Sequence, residues 1–297
     1  MKISISISNY SWPGGPAGFA SELARVVRAA DDAGLDTVWV PDHLIQADPT
    51  AGSSTDMLEA YTTLGFLAAQ TARVRLGAMV TAATYRPASL LIKAVTTLDV
   101  LSGGRAWLGI GAGYLEREAR EMGLPLPPVP ARFEQLEETL QLALRMWAGD
   151  ESAFEGRHLR LERPAGSPPP LHRPHPPILI GGTGERRTLR FVARYADACN
   201  LFDIPDGGAT VRRKLEVLAR HWEDVGRPLG EIDTTLSTRL GDGETPERFT
   251  ERCAGLAELG IRHVVVLSAG PWTEAAMAPL AAAVPAVSRI PSREIER

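Results

Sequence analysis

Cysteine is nearly missing from this sequence, with only Cys199 and Cys253 among 297 residues. Each lies in an apolar stretch, so no disulfide framework and no paired-ligand metal motif can be built from them. Buried free thiols in a reducing cytoplasm are the expectation. Long hydrophobic runs are also absent: no segment approaches the roughly 20 apolar residues of a membrane span. The opening alternation Ile3-Ser4-Ile5-Ser6-Ile7-Ser8 lacks the continuous apolar core of a signal peptide and reads as a strand. Basic residues form no stripe, and the formal net charge is -4 with both signs interspersed, which argues against a nucleic-acid surface. There is no Gly-x-Ser-x-Gly elbow and no P-loop lysine. No histidine pair ends the first strand, as a metal-dependent hydrolase barrel would require. No metal site is expected.

What is present is a strict strand–helix alternation. The strand patterns are Ile3–Ser8, Thr37–Val40, Val74–Val80, Ala106–Ile110, Ile178–Ile180, Asp197–Phe202, Ile232–Leu240 and Arg262–Leu267. Helical patterns follow each, among them Phe19–Ala33, Leu58–Thr71, Arg86–Leu101, Ala131–Trp147 and Glu185–Tyr195. Eight such units demand a parallel sheet with right-handed crossovers and close into an α/β (β/α)₈ TIM barrel. An open doubly wound sheet is the rival. About 250 residues is typical of the barrel, so residues 1–297 read as one barrel domain. The exception to the rhythm is an irregular insertion at about 153–177, between the fourth helix and fifth strand. It holds a small hairpin from Phe154 to Leu161 and then a proline-rich stretch. So long an irregular segment is a lid or binding loop, or else an inert surface excursion.

A barrel of this kind carries its site at the strand C-termini. These are Ser8-Asn9-Tyr10, Pro41-Asp42-His43, Met79-Val80-Thr81, Gly111 to Tyr114, Gly181 to Gly184, Asn200 and Ser268. His43 alone of the six histidines falls squarely on such an end, and imidazole suits proton exchange near neutrality. Asp42 adjoins it, but consecutive strand residues point to opposite faces, so a direct pair is not guaranteed. A structural histidine is the competing reading. The turn Gly181-Gly182-Thr183-Gly184, leading into a helix with Arg186, Arg187 and Arg190, offers N–H groups and positive charge to a phosphate. A plain tight turn is the alternative. The run Gly109 to Gly113 lets backbone approach something flat and close. It does not complete a Rossmann fingerprint. Trp12, Tyr61 and Tyr114 are candidates for a pocket wall, with loops 9–18 and 47–57 and the insertion.

Several ordered segments together resemble the luciferase-like monooxygenase family, in its coenzyme F420-dependent branch. They are Val38 to His43, Arg105 to Tyr114, Arg132-Phe133, Phe154 to His158, and Pro177 to Arg187 with Ala193 to Asp197. The resemblance implies a homodimeric barrel with a flavin-type ring across its mouth and Asp42 and His43 facing that ring. It implies a bulge, often with a cis peptide, at Met79-Val80 beside Thr81 behind the ring. Gly111, Gly113 and Tyr114 would flank the ring or tail, and Gly182, Thr183, Gly184 and Glu185 would receive the phosphate. The implied activity is hydride transfer between coenzyme F420 and a small organic substrate. Two other readings stay open: an FMN-dependent monooxygenase using reduced flavin and dioxygen, and a flavin-binding barrel without turnover.

Overall fold

The computed structural model of the chain describes residues 1–47, 55–227, 232–241 and 243–291. The chain opens with β1 (Lys2–Ser6), α1 (Phe19–Asp32), β2 (Thr37–Val40), α2 (Ala60–Gln70), β3 (Arg75–Ala78) and the short β4 (Thr81–Ala82). There follow α3 (Ala88–Ser102), β5 (Ala106–Gly111), α4 (Glu116–Met122), α5 (Val129–Trp147) and the strand pair β6 (Phe154–Glu155) and β7 (Arg160–Leu161). The second half runs through β8 (Ile178–Gly181), α6 (Thr188–Tyr195), β9 (Ala198–Phe202), α7 (Ala209–Val225) and β10 (Asp233–Arg239). It ends with α8 (Pro246–Glu258), β11 (His263–Leu267) and α9 (Glu274–Val287).

Around the sheet the order is β1, β2, β3, β5, β8, β9, β10, β11 and back to β1, every pairing parallel. The closure leaves no strand edge, so the rival open sheet is excluded. Residue parity sorts the core into two shells. Ile3, Ile5, Val38, Val40, Leu76 and Leu108 face outward to the helices as part of the large apolar cluster. Trp39, Trp107, Leu179, Ala198 and Val265 point inward and fill the barrel as a separate cluster. The helices present one apolar stripe each. In α1 the buried positions include Phe19, Leu23, Val26, Val27 and Ala30, the three-and-four spacing of a helix laid on a sheet.

Glycines make the interior possible. A Cβ on Gly77 would stand 2.6 Å from the Trp39 ring, and one on Gly109 would stand 1.8 Å from the Ala78 carbonyl oxygen. The run Gly109 to Gly113 therefore does admit a close neighbour, but that neighbour is the third strand. Between Gly77↔Trp107 and Thr81↔Ile110 the third strand spends four steps where β5 spends three. The one extra residue is a bulge at Met79-Val80, and that peptide is cis. The Val80 side chain folds inward, 3.1 Å from where a Gly111 Cβ would lie and 2.7 Å from that of Gly181.

Two expectations need correction. The helix after β8 starts at Thr188 rather than Glu185, because Gly182 (φ 107°) turns the chain and the Leu189 N–H reaches back to the Gly184 carbonyl at 3.0 Å. The insertion is no lid over the mouth. Its hairpin pairs Phe154 with Leu161 and lies along α5, where Glu138 accepts from the N–H groups of Arg157, His158 and Leu159. The proline-rich part packs at the far end of α3 and α5: Asp99 accepts from Leu171, and His175 stacks on Trp147 at 5.7 Å. A connection from a helix C-terminus to a strand N-terminus emerges at the face opposite the strand C-termini, which is why it cannot cover them.

Candidate active site

At the end of β2 the strand parity decides which way the two candidates look. Trp39 points in, so His43 continues inward while Asp42 turns out toward α2 and α3. Asp42 is 1 % exposed and takes both guanidinium arms of Arg86, at 2.5 and 2.9 Å. Arg86 also grips Glu59 at 2.6 Å, and Glu59 caps α2 by accepting from the Thr62 N–H at 2.7 Å. This bidentate pair fixes the backbone below His43. Burial would weaken the Arg86 charge, yet Asp42 and Glu59 outweigh it and hold its pKa above the ordinary value.

His43 does not pair with Asp42. Its Nδ1 lies 2.7 Å from Glu118 Oε2, on α4. The side chain of Glu118 is fully buried. The Tyr85 hydroxyl donates to the same oxygen, and the Leu44 N–H donates to Oε1 at 2.5 Å. Burial works against the Glu118 carboxylate, but the hydrogen bonds from His43, Tyr85 and Leu44 prevail and hold it below the usual carboxyl range. Burial and the Glu118 carboxylate push the Tyr85 phenol upward, so it remains a donor. Among the described residues no protein group bonds the His43 Nε2, which faces the mouth beside Tyr114, whose ring meets His43 edge-on at 6.0 Å.

The floor of the mouth is Val80 with Met79, both half-buried over the indoles of Trp39 and Trp107. Thr81 is buried and bonds the Tyr61 hydroxyl at 2.8 Å. Deeper on the β9–β10 side, Asn200 is tied to Ser237 and Thr235 at 2.9 and 2.8 Å. On the β5 side Gly113 lies against Ala82, whose side chain is 3.1 Å from where a Gly113 Cβ would stand, and the Gly113 carbonyl accepts from Arg132 at 2.7 Å. Trp12 is 4 % exposed and packs on Tyr10 and Phe19, so it is core rather than wall. Of the suggested loop walls, residues 48–54 lie outside the described residues. Open depressions of about 560 and 620 Å³ flank the α4–α5 connection and share Leu126. Neither includes His43 or Val80, so the strand-end mouth is assigned from its side chains instead.

The β8–α6 turn supplies the second half of the site. The N–H groups of residues 183–187 find no acceptor among the described residues. That run of free donors, with Arg186 and Arg190 beside it, is the chemistry of an anion cradle. A tethered phosphate fits it. Glu185 behaves otherwise than expected: its carboxylate turns to Lys214 and Arg213 of α7, at 2.8 and 3.1 Å. Arg187 lies over the Phe133 ring at 5.4 Å. The structure thus brings His43, Val80, Gly111, Gly113 and Tyr114 to one mouth with the Gly181–Gly184 turn at its rim, and sends Asp42 and the Glu185 carboxylate elsewhere. Sequence reasoning missed Glu118, Tyr85 and Arg86. Glu118 stands among Glu116, Glu121 and two basic residues, Arg117 and Arg120, on a short helix, a pattern that reads as solvated charge.

A family model described as luciferase-like monooxygenase matches residues 1–290. The chain belongs to this family. Similar members include a protein named F420-dependent glucose-6-phosphate dehydrogenase from Kineococcus radiotolerans, 31% identical over 248 residues, 81% of this chain and 69% of that protein. An uncharacterized Mycobacterium tuberculosis protein is 30% identical over 82% of this chain and 85% of its own length. Among solved structures, an F420-dependent secondary alcohol dehydrogenase in complex with an F420-acetone adduct superposes with a TM-score of 0.80 at 16% identity. That match covers 96% of this chain and 98% of the other and shows a shared fold.

Proposed function

We propose that the protein is an oxidoreductase that transfers hydride between coenzyme F420 and a small organic substrate. The observation that carries this reading is the convergence, at one barrel mouth, of an imidazole fixed by a buried carboxylate and a run of unpaired backbone donors. Coenzyme F420, once bound, would supply the two-electron hydride carrier; the protein supplies placement and a proton. The free N–H groups of Thr183, Gly184 and Glu185 would take the anionic tail, with Gly181 and Gly182 giving the turn its shape. Met79, Val80 and Thr81 would carry the ring, flanked by Gly111, Gly113 and Tyr114. His43 Nε2 would exchange the proton of the substrate oxygen while Nδ1 stays bonded to Glu118. Asp42 acts as a positioning residue, through Arg86.

Relatives near 30% identity named for F420 dependence support the cofactor; the FMN alternative draws only on remote shared folds, such as that of an FMN-complexed Baeyer-Villiger monooxygenase at 15% identity. The experiment offers purified protein oxidised F420 and, separately, FMN in its oxidised and its chemically reduced form. Binding is read from ring fluorescence and reduction from the loss of ring absorbance on adding a panel of alcohols. Saturable F420 binding with substrate-dependent bleaching is expected. Preference for FMN with dioxygen consumption overturns the reading, as does binding without turnover on any substrate.

A further inference from the structure

The turn that carries the free donors is gripped from outside. Glu185, in the middle of that run, is held at two points by α7, the helix of the next strand–helix unit. Its carboxylate takes Lys214 at 2.8 Å and Arg213 at 3.1 Å. Lys214 first, and Arg213 after it, keep that carboxyl below its usual range. The Glu185 carbonyl oxygen lies 2.7 Å from His221 Nε2. A carbonyl only accepts, so this bond puts a hydrogen on Nε2 and makes the imidazole the donor. His221 is half-buried, and its Nδ1 stands 4.0 Å from the Asp224 carboxylate. It has no part in the proton chemistry at His43.

The direction of the His221 bond decides where a cradle donor points. In a trans peptide the C=O of one residue and the N–H of the next face opposite ways, and the cis peptides among the described residues lie elsewhere. With the Glu185 carbonyl drawn to α7, the Arg186 N–H is turned away from α7. The preceding peptide is fixed from within the turn: the Gly184 carbonyl accepts from the Leu189 N–H at 3.0 Å, which turns the Glu185 N–H away from the body of α6. Neither N–H meets an acceptor among the described residues. Gly182 and Gly184 give this stretch backbone freedom, so an outside hold is what keeps its peptide planes from rotating. Donors fixed before the anion arrives spare it the cost of ordering them.

We propose that His221 is a positioning residue for the cofactor's phosphate: by holding the Glu185 carbonyl against α7 it keeps the Arg186 N–H aimed at the anion. The proposal rests on the F420 reading above. Its test compares wild type, His221→Leu and His221→Gln by fluorescence titration of coenzyme F420 and by the melting temperature of the cofactor-free protein. Leucine keeps a good helix former in α7 and removes the donor. Glutamine carries an amide N–H donor on a side chain of similar reach and restores it. His221→Leu should weaken F420 binding about tenfold, the worth of one well-aimed hydrogen bond to a charged group. His221→Gln should bind within about twofold of wild type, and the three cofactor-free proteins should melt together. A loss shared by His221→Gln, or one that tracks a fallen melting temperature, marks a merely structural role and overturns the proposal. Wild-type affinity in His221→Leu overturns it too. If wild-type protein binds no F420, the reading beneath falls instead.

Discussion

An imidazole exchanges a proton productively only when its ring is held, and Glu118 is the residue that holds His43. Its buried carboxylate is anchored by Tyr85 and the Leu44 N–H, so the His43 ring cannot turn without breaking a charge-assisted hydrogen bond worth about 1.5–3 kcal/mol. Glu118→Gln should therefore lower kcat by about ten to a hundredfold and displace its pH profile, with F420 affinity unchanged. His43→Ala should lose about 10²–10⁴ in turnover while still binding the cofactor. Steady-state kinetics beside a fluorescence titration separates the two effects; full activity in His43→Ala would remove the residue from the reaction. His43 was legible in the sequence because a histidine at a strand C-terminus has few other reasons to be there. Glu118 was not, because burial depends on how α4 packs against the β2 loop, and helix charges in sequence look alike.

At the scale of elements, the bulge after β3 and the glycines facing it are one unit. Val80 leans into space that side chains at 111 and 181 would otherwise occupy. Gly181→Ala should destabilise the fold by about 1–3 kcal/mol through overpacking. Because the clash is with Val80, the double variant Gly181→Ala/Val80→Ala should recover part of that loss, a coupling that denaturant titration of all four proteins measures. Additive effects would mean the two side chains do not meet. The strands themselves were readable from period-two apolar patterns, to within a residue or two. The glycine run was readable as a close approach but not as to what approaches, since the partner is 31 residues earlier in the chain (Ala78 to Gly109). The start of α6 was misplaced because glutamate and arginine after a glycine turn suit either a helix or its preceding turn.

For the whole molecule, closure depends on β1, β10 and β11 at the face away from the site. There Ser4 bonds His263 at 2.5 Å, and Asp233 receives Lys2 at 2.8 Å with His263 Nδ1 3.6 Å away. Burial opposes the Asp233 carboxylate, yet His263 and Lys2 hold its pKa far below the usual carboxylate range. Below about pH 4 the unfolded chain takes up a proton that the native protein refuses. Stability from this group is complete above that pH and is lost as the pH falls toward the native pKa. Asp233→Asn should cost about 1–3 kcal/mol at neutral pH and flatten the acid limb of the urea midpoint between pH 5 and 3; an unchanged limb would contradict the assignment. The closed barrel was legible from eight alternating units. The path of the insertion was not, since nothing in its prolines tells which end of the barrel they cover.

The mouth is proposed to hold a cofactor whose anionic tail rests on the turn after β8. Fluorescence titration of coenzyme F420 into wild-type protein and Gly182→Asp tests it most directly. The φ of 107° at Gly182 makes any side chain there strained, so Gly182→Asn serves as the uncharged control. Saturable binding by the wild type is expected, with a moderate loss in Gly182→Asn and a further loss of about tenfold in Gly182→Asp from charge repulsion at the cradle. Equal affinity for all three, or no binding by the wild type, would contradict it.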